Sequence, residues 1–287
     1  MSDNFESSLI NLGELSKPAT VLVEKISDAV GGIFKPYQIV RVAKAEAQAA
    51  RVRAEGEIEI SDIQRRAFHR FLEEEAKKQK NIEDITQKSL PLLTEDSKPN
   101  EVEDDWITYF CDRCRLISSD EMQSLWSRVL AGEANKPGTY SKRTVNFLSA
   151  LDKNEAEIFT RVCNFAWHIP RLCPLIYNDL VDFYEKHDLF ADDLRHLESI
   201  GLLSFQSNEF HLVQAPDPVT YHGAKIRLDL IKNEYQFCIG VASLTKVGEQ
   251  LAPICATQPV EGFFDAVVEL WRSRGYISED EANKAKR

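Results

Sequence analysis

The sequence predicts a mainly α fold: a long N-terminal helix, a central helical bundle and a winged-helix-like α+β domain at the C-terminal end. Three observations lead there. Residues 37–89 contain no proline and a single glycine, Gly56, and are rich in Ala, Glu, Lys, Arg and Gln, the strong helix formers. Residues 106–170 hold short apolar periods of helical spacing behind capping residues. Beyond Gly201 the texture changes to short runs of strand type.

Residues 1–36 form an N-terminal amphipathic region. Ser16 is the expected N-cap, and Pro18 is tolerated in a first turn. Leu22, Ile26, Val30, Ile33 and Phe34 fall on one face, with Glu24, Lys25 and Asp28 opposite, and Pro36 ends the helix. This stripe is the candidate face for a protein partner or a membrane surface. Its polar side lacks the Lys and Arg excess of membrane-surface helices, and the other reading is that it folds back on the chain.

Residues 37–93 read as a long helical or coiled-coil segment. Some fifty continuous residues would make a rod of roughly 75 Å. Ile39, Ala43, Ala47, Ala50, Ala54 and Ile58 trace a narrow seam that Ala67, Phe68, Phe71 and Leu72 make bulkier. A narrow seam cannot bury itself against its own turns, so it calls for a second helix. Ala43, Ala47, Ala50 and Ala54 are the candidate oligomer seam, and a homo-oligomer is expected. Gly56 and Ser61-Asp62 mark places for a kink, and Pro91 closes the segment.

Residues 94–105, TEDSKPNEVEDD, are polar and acidic and read as an exposed linker. The bundle occupies 106–170. Trp106, Phe110, Cys114 and Ile117 share a face, and Ser118-x-x-Glu121 has capping-box spacing. Met122, Leu125, Trp126, Val129 and Leu130 follow, with Gly132 as a candidate left-handed C-terminal residue. Ser141 and Asp152-x-x-Glu155 open two more helices.

The α+β domain occupies 171–276. Pro174 to His187 and Asp192 to Ile200 read as helices, and Leu202 to Val213 as two short strands around a Ser-Asn turn, the winged-helix order. Strands are expected over Lys225–Ile231 and Tyr235–Ala242. Helices carrying Val247, Leu251 and Ile254, then Phe263, Phe264, Val267, Val268 and Trp271, follow. Residues 277–287 are a charged tail.

Lys and Arg total 35 against 46 Asp and Glu, a net charge of -11, which opposes a main role in gripping phosphate backbones. There is no run of eighteen apolar residues and no secretory signal, so the expected location is cytoplasmic, with membrane association through the N-terminal helix as the variant. The six cysteines are expected to be reduced thiols.

Cys111-x-x-Cys114 lacks a second pair, and Cys163, His168 and Cys173 are irregularly spaced, so no metal is assigned. No nucleophile elbow, Walker loop, dinucleotide fingerprint or zinc-protease motif occurs. His69, His196 and His211 are scattered, and Glu73, Glu74 and Glu75 point in different directions around a helix. No catalytic or cofactor-binding residue is assigned, no cofactor is expected, and the chain reads as non-enzymatic.

Nucleic acid is the rival partner. A recognition helix over Asp192 to Ile200 would offer Arg195 and His196 beside Asp192, Asp193 and Glu198, and the wing at Gln206-Ser207-Asn208 carries no basic residue. That favours an interaction module, with a winged-helix DNA-binding regulator as the alternative.

The phrases KPYQIVRVAKAEAQAARVRAEGEIE, QKNIE at 79–83, LWSRVLAGE, PGTYSKRT and HLESIGLL resemble an uncharacterised bacterial family, catalogued as a domain of unknown function, over about residues 35–201. The layout is also similar to the alpha family of abortive-infection proteins, with an N-terminal apolar helix and a small helical domain. That likeness implies a role in phage defence or a related stress response. The resemblance supplies no catalytic residues. Together with the residues, it implies a non-catalytic bacterial interaction and self-assembly protein.

Overall fold

The structure, a computed structural model, describes residues 15–31, 62–169, 171–212, 218–228, 237–279 and 281. The candidate seam residues Ala43, Ala47, Ala50 and Ala54, and also Ile33 and Phe34, lie outside the described residues. The fold is mainly α with two small antiparallel sheets, and the chain divides into two compact units, 1–149 and 150–287.

In the first unit, helix α1 spans Lys17–Ala29, and the Ser16 side chain accepts from the Ala19 amide at 3.4 Å. Ala19, Leu22, Val23 and Ile26 are buried. Helix α2 spans Asp62–Ser89, with Ile82 and Ile85 buried, and a 3-10 turn at Leu90–Leu92 carries Pro91. Helix α3 spans Asp104–Cys114, α4 Asp120–Asn135 and α5 Lys142–Ala150. Helix α1 packs on α3, and the C-terminal half of α2 packs on α4. Trp106 stacks on Phe110 at 5.1 Å between ring centres, Phe110 meets the edge of Trp126, and Trp126 is fully buried.

Four expectations are corrected in this unit. The face Leu22, Ile26, Val30 is core rather than contact surface where it is described. Leu22 and Ile26 are fully buried toward α3 and Val30 is half-buried, while Lys25 fastens the helix by pairing with Asp104 at 3.0 Å and donating to the Val102 carbonyl. The acidic stretch 94–105 is not a linker. Its Lys98 amide donates to the Ala134 carbonyl at 2.8 Å, Asn135 bonds Thr94, Ser97 and Leu92, and Pro99 and Val102 are buried. Gly132 lies inside α4, not past its end, because the ring of Tyr140 rests against it. The cap of α4 is Ser119, one residue later than the Ser118-x-x-Glu121 spacing suggests.

In the second unit, helix α6 spans Lys153–Asn164 behind the capping box of Asp152 and Glu155. Strands β1 (Ala166–Ile169) and β2 (Arg171–Pro174) form an antiparallel hairpin. A 3-10 turn at Asn178–Leu180 leads to α7 (Val181–Glu185), and α8 spans Ala191–Ser199. Strand β3 spans Leu203–Leu212, β4 Val219–Tyr221, β5 Ala224–Ile226 and β6 Phe237–Leu244. Helices α9 (Lys246–Leu251) and α10 (Phe263–Ser273) complete it. One sheet has the order β2-β1-β4-β5, and β3 pairs with β6 in the other.

Here too the sequence reading needs correction. Residues 203–212 are one strand and not a hairpin: the polar stretch after Phe205 is taken up by register shifts against β6. Pro174 closes β2, so the helix expected from there shrinks to α7. Strands β4 and β5 turn through His222 and Gly223, both with positive φ (43° and 91°), as a two-residue primed hairpin requires. The expected boundary at 170/171 moves to 149/150, because α6 packs on α8 and β2.

Trp167 is the centre of this second core, against Tyr221 at 5.3 Å and Trp271 at 4.8 Å. Phe165, Phe237 and Phe263 are buried around it.

Candidate interaction surface

An α-helix turns about 100° per residue. Within α2, Ile82, Ile85 and Ser89 therefore share a face, and that face is buried in the first unit. The same angular phase runs back along the helix to Phe71, Phe68 and Ala67, with Ile63 and Leu72 at its two edges. There no described residue covers it. Every residue from Asp62 to Glu74 is exposed, with Ile63 at 68%, Phe68 at 47%, Phe71 at 57% and Leu72 at 49%. Those are four of the eight large apolar residues exposed among the described residues.

The change from core to surface falls at a cleft of about 310 Å³, lined by Ala29, Val30, Lys78, Gln79, Ile82 and Cys111. Val30, a residue of the expected partner face, thus meets α2 at the point where the stripe leaves the core. Leu22 and Ile26 do not reach it. The flanks of the exposed stripe carry Arg65, paired with Asp62 at 3.6 Å, and Arg70, paired with Glu74 at 3.4 Å. Such exposed pairs contribute about 0.2–1 kcal/mol each. They cannot by themselves account for a helix holding four apolar side chains in water.

The phenylalanines at 68 and 71 were visible in the sequence as a thickening of the stripe. Their exposure was not, because the periodicity that marks a buried helical face marks an uncovered one equally well.

The other charged clusters are closed on themselves. On α8, Arg195 pairs with Asp192 at 2.7 Å and His196 with Glu155 at 2.8 Å, while Asp193 and Glu198 accept from the Phe190 and Phe205 amides. A cleft of about 510 Å³ in the second unit is lined by His168, Arg171, Leu172, Glu249, Pro253 and Thr257, but Arg171 and Lys246 both pair with Glu249. Arg274 bridges Asp179 and Glu209 and lies over the ring of Tyr177 at 5.1 Å. Burial lowers the pKa of that guanidinium, and the two carboxylates outweigh it and hold it above the usual value.

Cys111 and Cys114 are both buried free thiols. Burial, reinforced by Cys111, pushes the Cys114 thiol well up, away from the thiolate that redox or metal chemistry needs. Among the described residues no three His, Cys, Asp or Glu side chains gather to hold a metal ion. No described helix is long and apolar enough to cross a membrane.

Neither the curated proteins nor the solved structures contain a match to this chain. One family model does match, described as protein of unknown function DUF2806, over residues 65–268, from the exposed half of α2 to the middle of α10. With most of its length covered from within the first unit to within the second, the chain belongs to the DUF2806 family.

Proposed function

We propose that this protein is a non-catalytic interaction and self-assembly protein whose contact surface is the N-terminal half of α2, residues 62–75. The observation that carries the reading is the exposed pair Phe68 and Phe71, with Ile63 and Leu72 exposed on opposite flanks, on a helix whose other half is core. A Leu, Ile or Phe side chain moved from water to a packed surface contributes about 1.5–3 kcal/mol. About fourteen helical residues without tertiary cover are marginal in water. Grouped apolar exposure of this kind marks sites of association.

The test is the double substitution Phe68→Asp with Phe71→Asp in the full chain. Native size separation of cell extracts should show the wild-type chain in a species larger than one copy and the variant at the size of a single copy. An unchanged size profile would remove this surface from consideration.

The finer description of the C-terminal unit as winged-helix-like is supported by helices α6, α7 and α8 followed by the antiparallel pair β3–β6, with β1 and β2 inserted after α6 and β4 and β5 between the paired strands, and by a β-bridge from Ile176 to Gly240. As a DNA-binding module it gains no support from α8, where Asp192, Asp193 and Glu198 stand beside Arg195 and His196 and would face phosphates with repulsion. Phage defence is the cellular setting suggested by the likeness to abortive-infection proteins. Comparing phage plating on cells with and without the gene tests it, and equal plating for a broad set of phages would count against it.

A further inference from the structure

We infer that the occupant of the α2 surface is a second copy of this chain, packed antiparallel across a two-fold axis between His69 and Arg70. This inference rests on the interaction-surface reading and names its partner. The argument is the order of charges along the exposed half-helix. Asp62 is followed by a basic block, Arg65, Arg66, His69 and Arg70, then by an acidic block, Glu73, Glu74 and Glu75, and then by Lys77 and Lys78.

In a parallel in-register pair each block would lie beside its like. In an antiparallel pair centred between His69 and Arg70 the blocks exchange. Arg65 of one copy lies level with Glu74 of the other, both at the rim of the face that carries Phe68 and Phe71, whereas Arg66, Glu73, Asp62 and Lys77 point away from that face. The apolar positions match as well: Phe68 lies level with Phe71, and the small Ala67 with the larger Leu72. The existing pairs of Arg65 with Asp62 and of Arg70 with Glu74 are exposed, so they can be exchanged for contacts between copies at little cost.

An arrangement in which each patch meets itself closes as a dimer and leaves no free end for growth. Rim charges of this kind set orientation and partner choice more than strength, while the phenylalanines supply the contact. The protruding half-helix is about 20 Å long at 1.5 Å per residue, which lets the two copies overlap along it.

The experiment measures the mass of the purified full chain by light scattering across a dilution series. The wild type should be a dimer. Arg65→Glu should weaken it by tenfold or more in Kd, as should Glu74→Arg, because each reversal acts twice in a symmetric pair, and the two changes together should restore it. Disulfide trapping reports direction: Gln64→Cys copies should not cross-link to one another, but should cross-link to Glu75→Cys copies.

A monomeric wild type overturns this inference, and so does a dimer indifferent to the charge blocks, or one in which Gln64→Cys copies join each other. Failure here is separable from failure of the surface reading. A chain that is monomeric when pure but assembled in extracts, and released there by Phe68→Asp with Phe71→Asp, keeps the surface and loses the second copy.

Discussion

The indole N–H of Trp271 donates to the hydroxyl of Tyr177 at 3.0 Å, joining helix α10 to the segment before α7, ninety-four residues apart in sequence. The Tyr177 hydroxyl in turn donates to the Cys238 carbonyl of β6 at 2.9 Å. One phenol therefore ties three elements of the second unit together, and burial pushes its pKa well up, keeping it a donor at any ordinary pH. Tyr177→Phe removes the oxygen and leaves the ring. It should cost about 1–3 kcal/mol, because the buried Trp271 N–H loses its acceptor. Urea unfolding followed by fluorescence measures this, and a loss below a few tenths of a kcal/mol would mean that water or another group replaces the hydroxyl.

Ile26 is fully buried on α1, beside Leu22 and Val23. Ile26→Ala should lower the stability of the first unit by about 2–5 kcal/mol, the range for truncating a buried aliphatic side chain. The contrasting change is Phe71→Ala on α2, an exposed site, which in the dissociated chain should stay within about 0.5 kcal/mol. Equal effects at the two sites would mean that α1 is not anchored as described, or that the α2 surface is covered within the chain.

The helices of the first unit, and α6, α8 and α10 of the second, were legible in the sequence because their apolar spacing and caps are local signals, whereas the helix expected from Pro174 was not there. Met122, Trp126, Val129 and Leu130 are buried on one face of α4, and Asp152 with Glu155 caps α6. What sequence could not carry was partnership. The stripe of α1 reads the same whether it faces α3 or a partner, and the face of α2 reads the same whether buried at Ile85 or bare at Phe71. The acidic stretch looked like a linker because its docking runs largely through backbone groups and Asn135, and its two buried apolar residues, Pro99 and Val102, make no periodic pattern. The β3–β6 pairing joins segments more than twenty residues apart, and a local turn signal at Ser207-Asn208 hid it.

Raised thiol pKa values make stability fall on the alkaline side. Burial, with Glu209 adding to it, pushes the Cys238 thiol up to about 11, and burial also raises Cys114 and Cys163. Above about pH 8.5, where an unfolded thiol ionises, the unfolded chain binds fewer protons than the folded one, so unfolding becomes easier as pH rises. The contribution of Cys238 is whole below that value and is lost by about pH 11. Cys238→Ala should flatten the fall in unfolding free energy between those limits. An identical slope in variant and wild type would rule out this thiol as a source.

Gly132 decides between two opposed effects. Alanine in a helix interior is favoured over glycine by up to about 1 kcal/mol. At this position, however, an added Cβ would sit 2.7 Å from Cε2 of the Tyr140 ring. The main chain of that residue is fixed and its ring is enclosed. Its amide donates to Glu133 at 2.8 Å, its carbonyl accepts from the Trp106 indole at 2.6 Å, and its side chain is buried. Glu133 is itself committed to the Gly138 amide at the turn. Overpacking at a site this constrained costs about 1–3 kcal/mol, which exceeds the propensity gain. Gly132→Ala should therefore destabilise the first unit, and Tyr140→Ala, which clears the space, should make the same change favourable in the double variant. If Gly132→Ala alone raises the melting temperature, the buried ring of Tyr140 can swing aside even though its backbone is held.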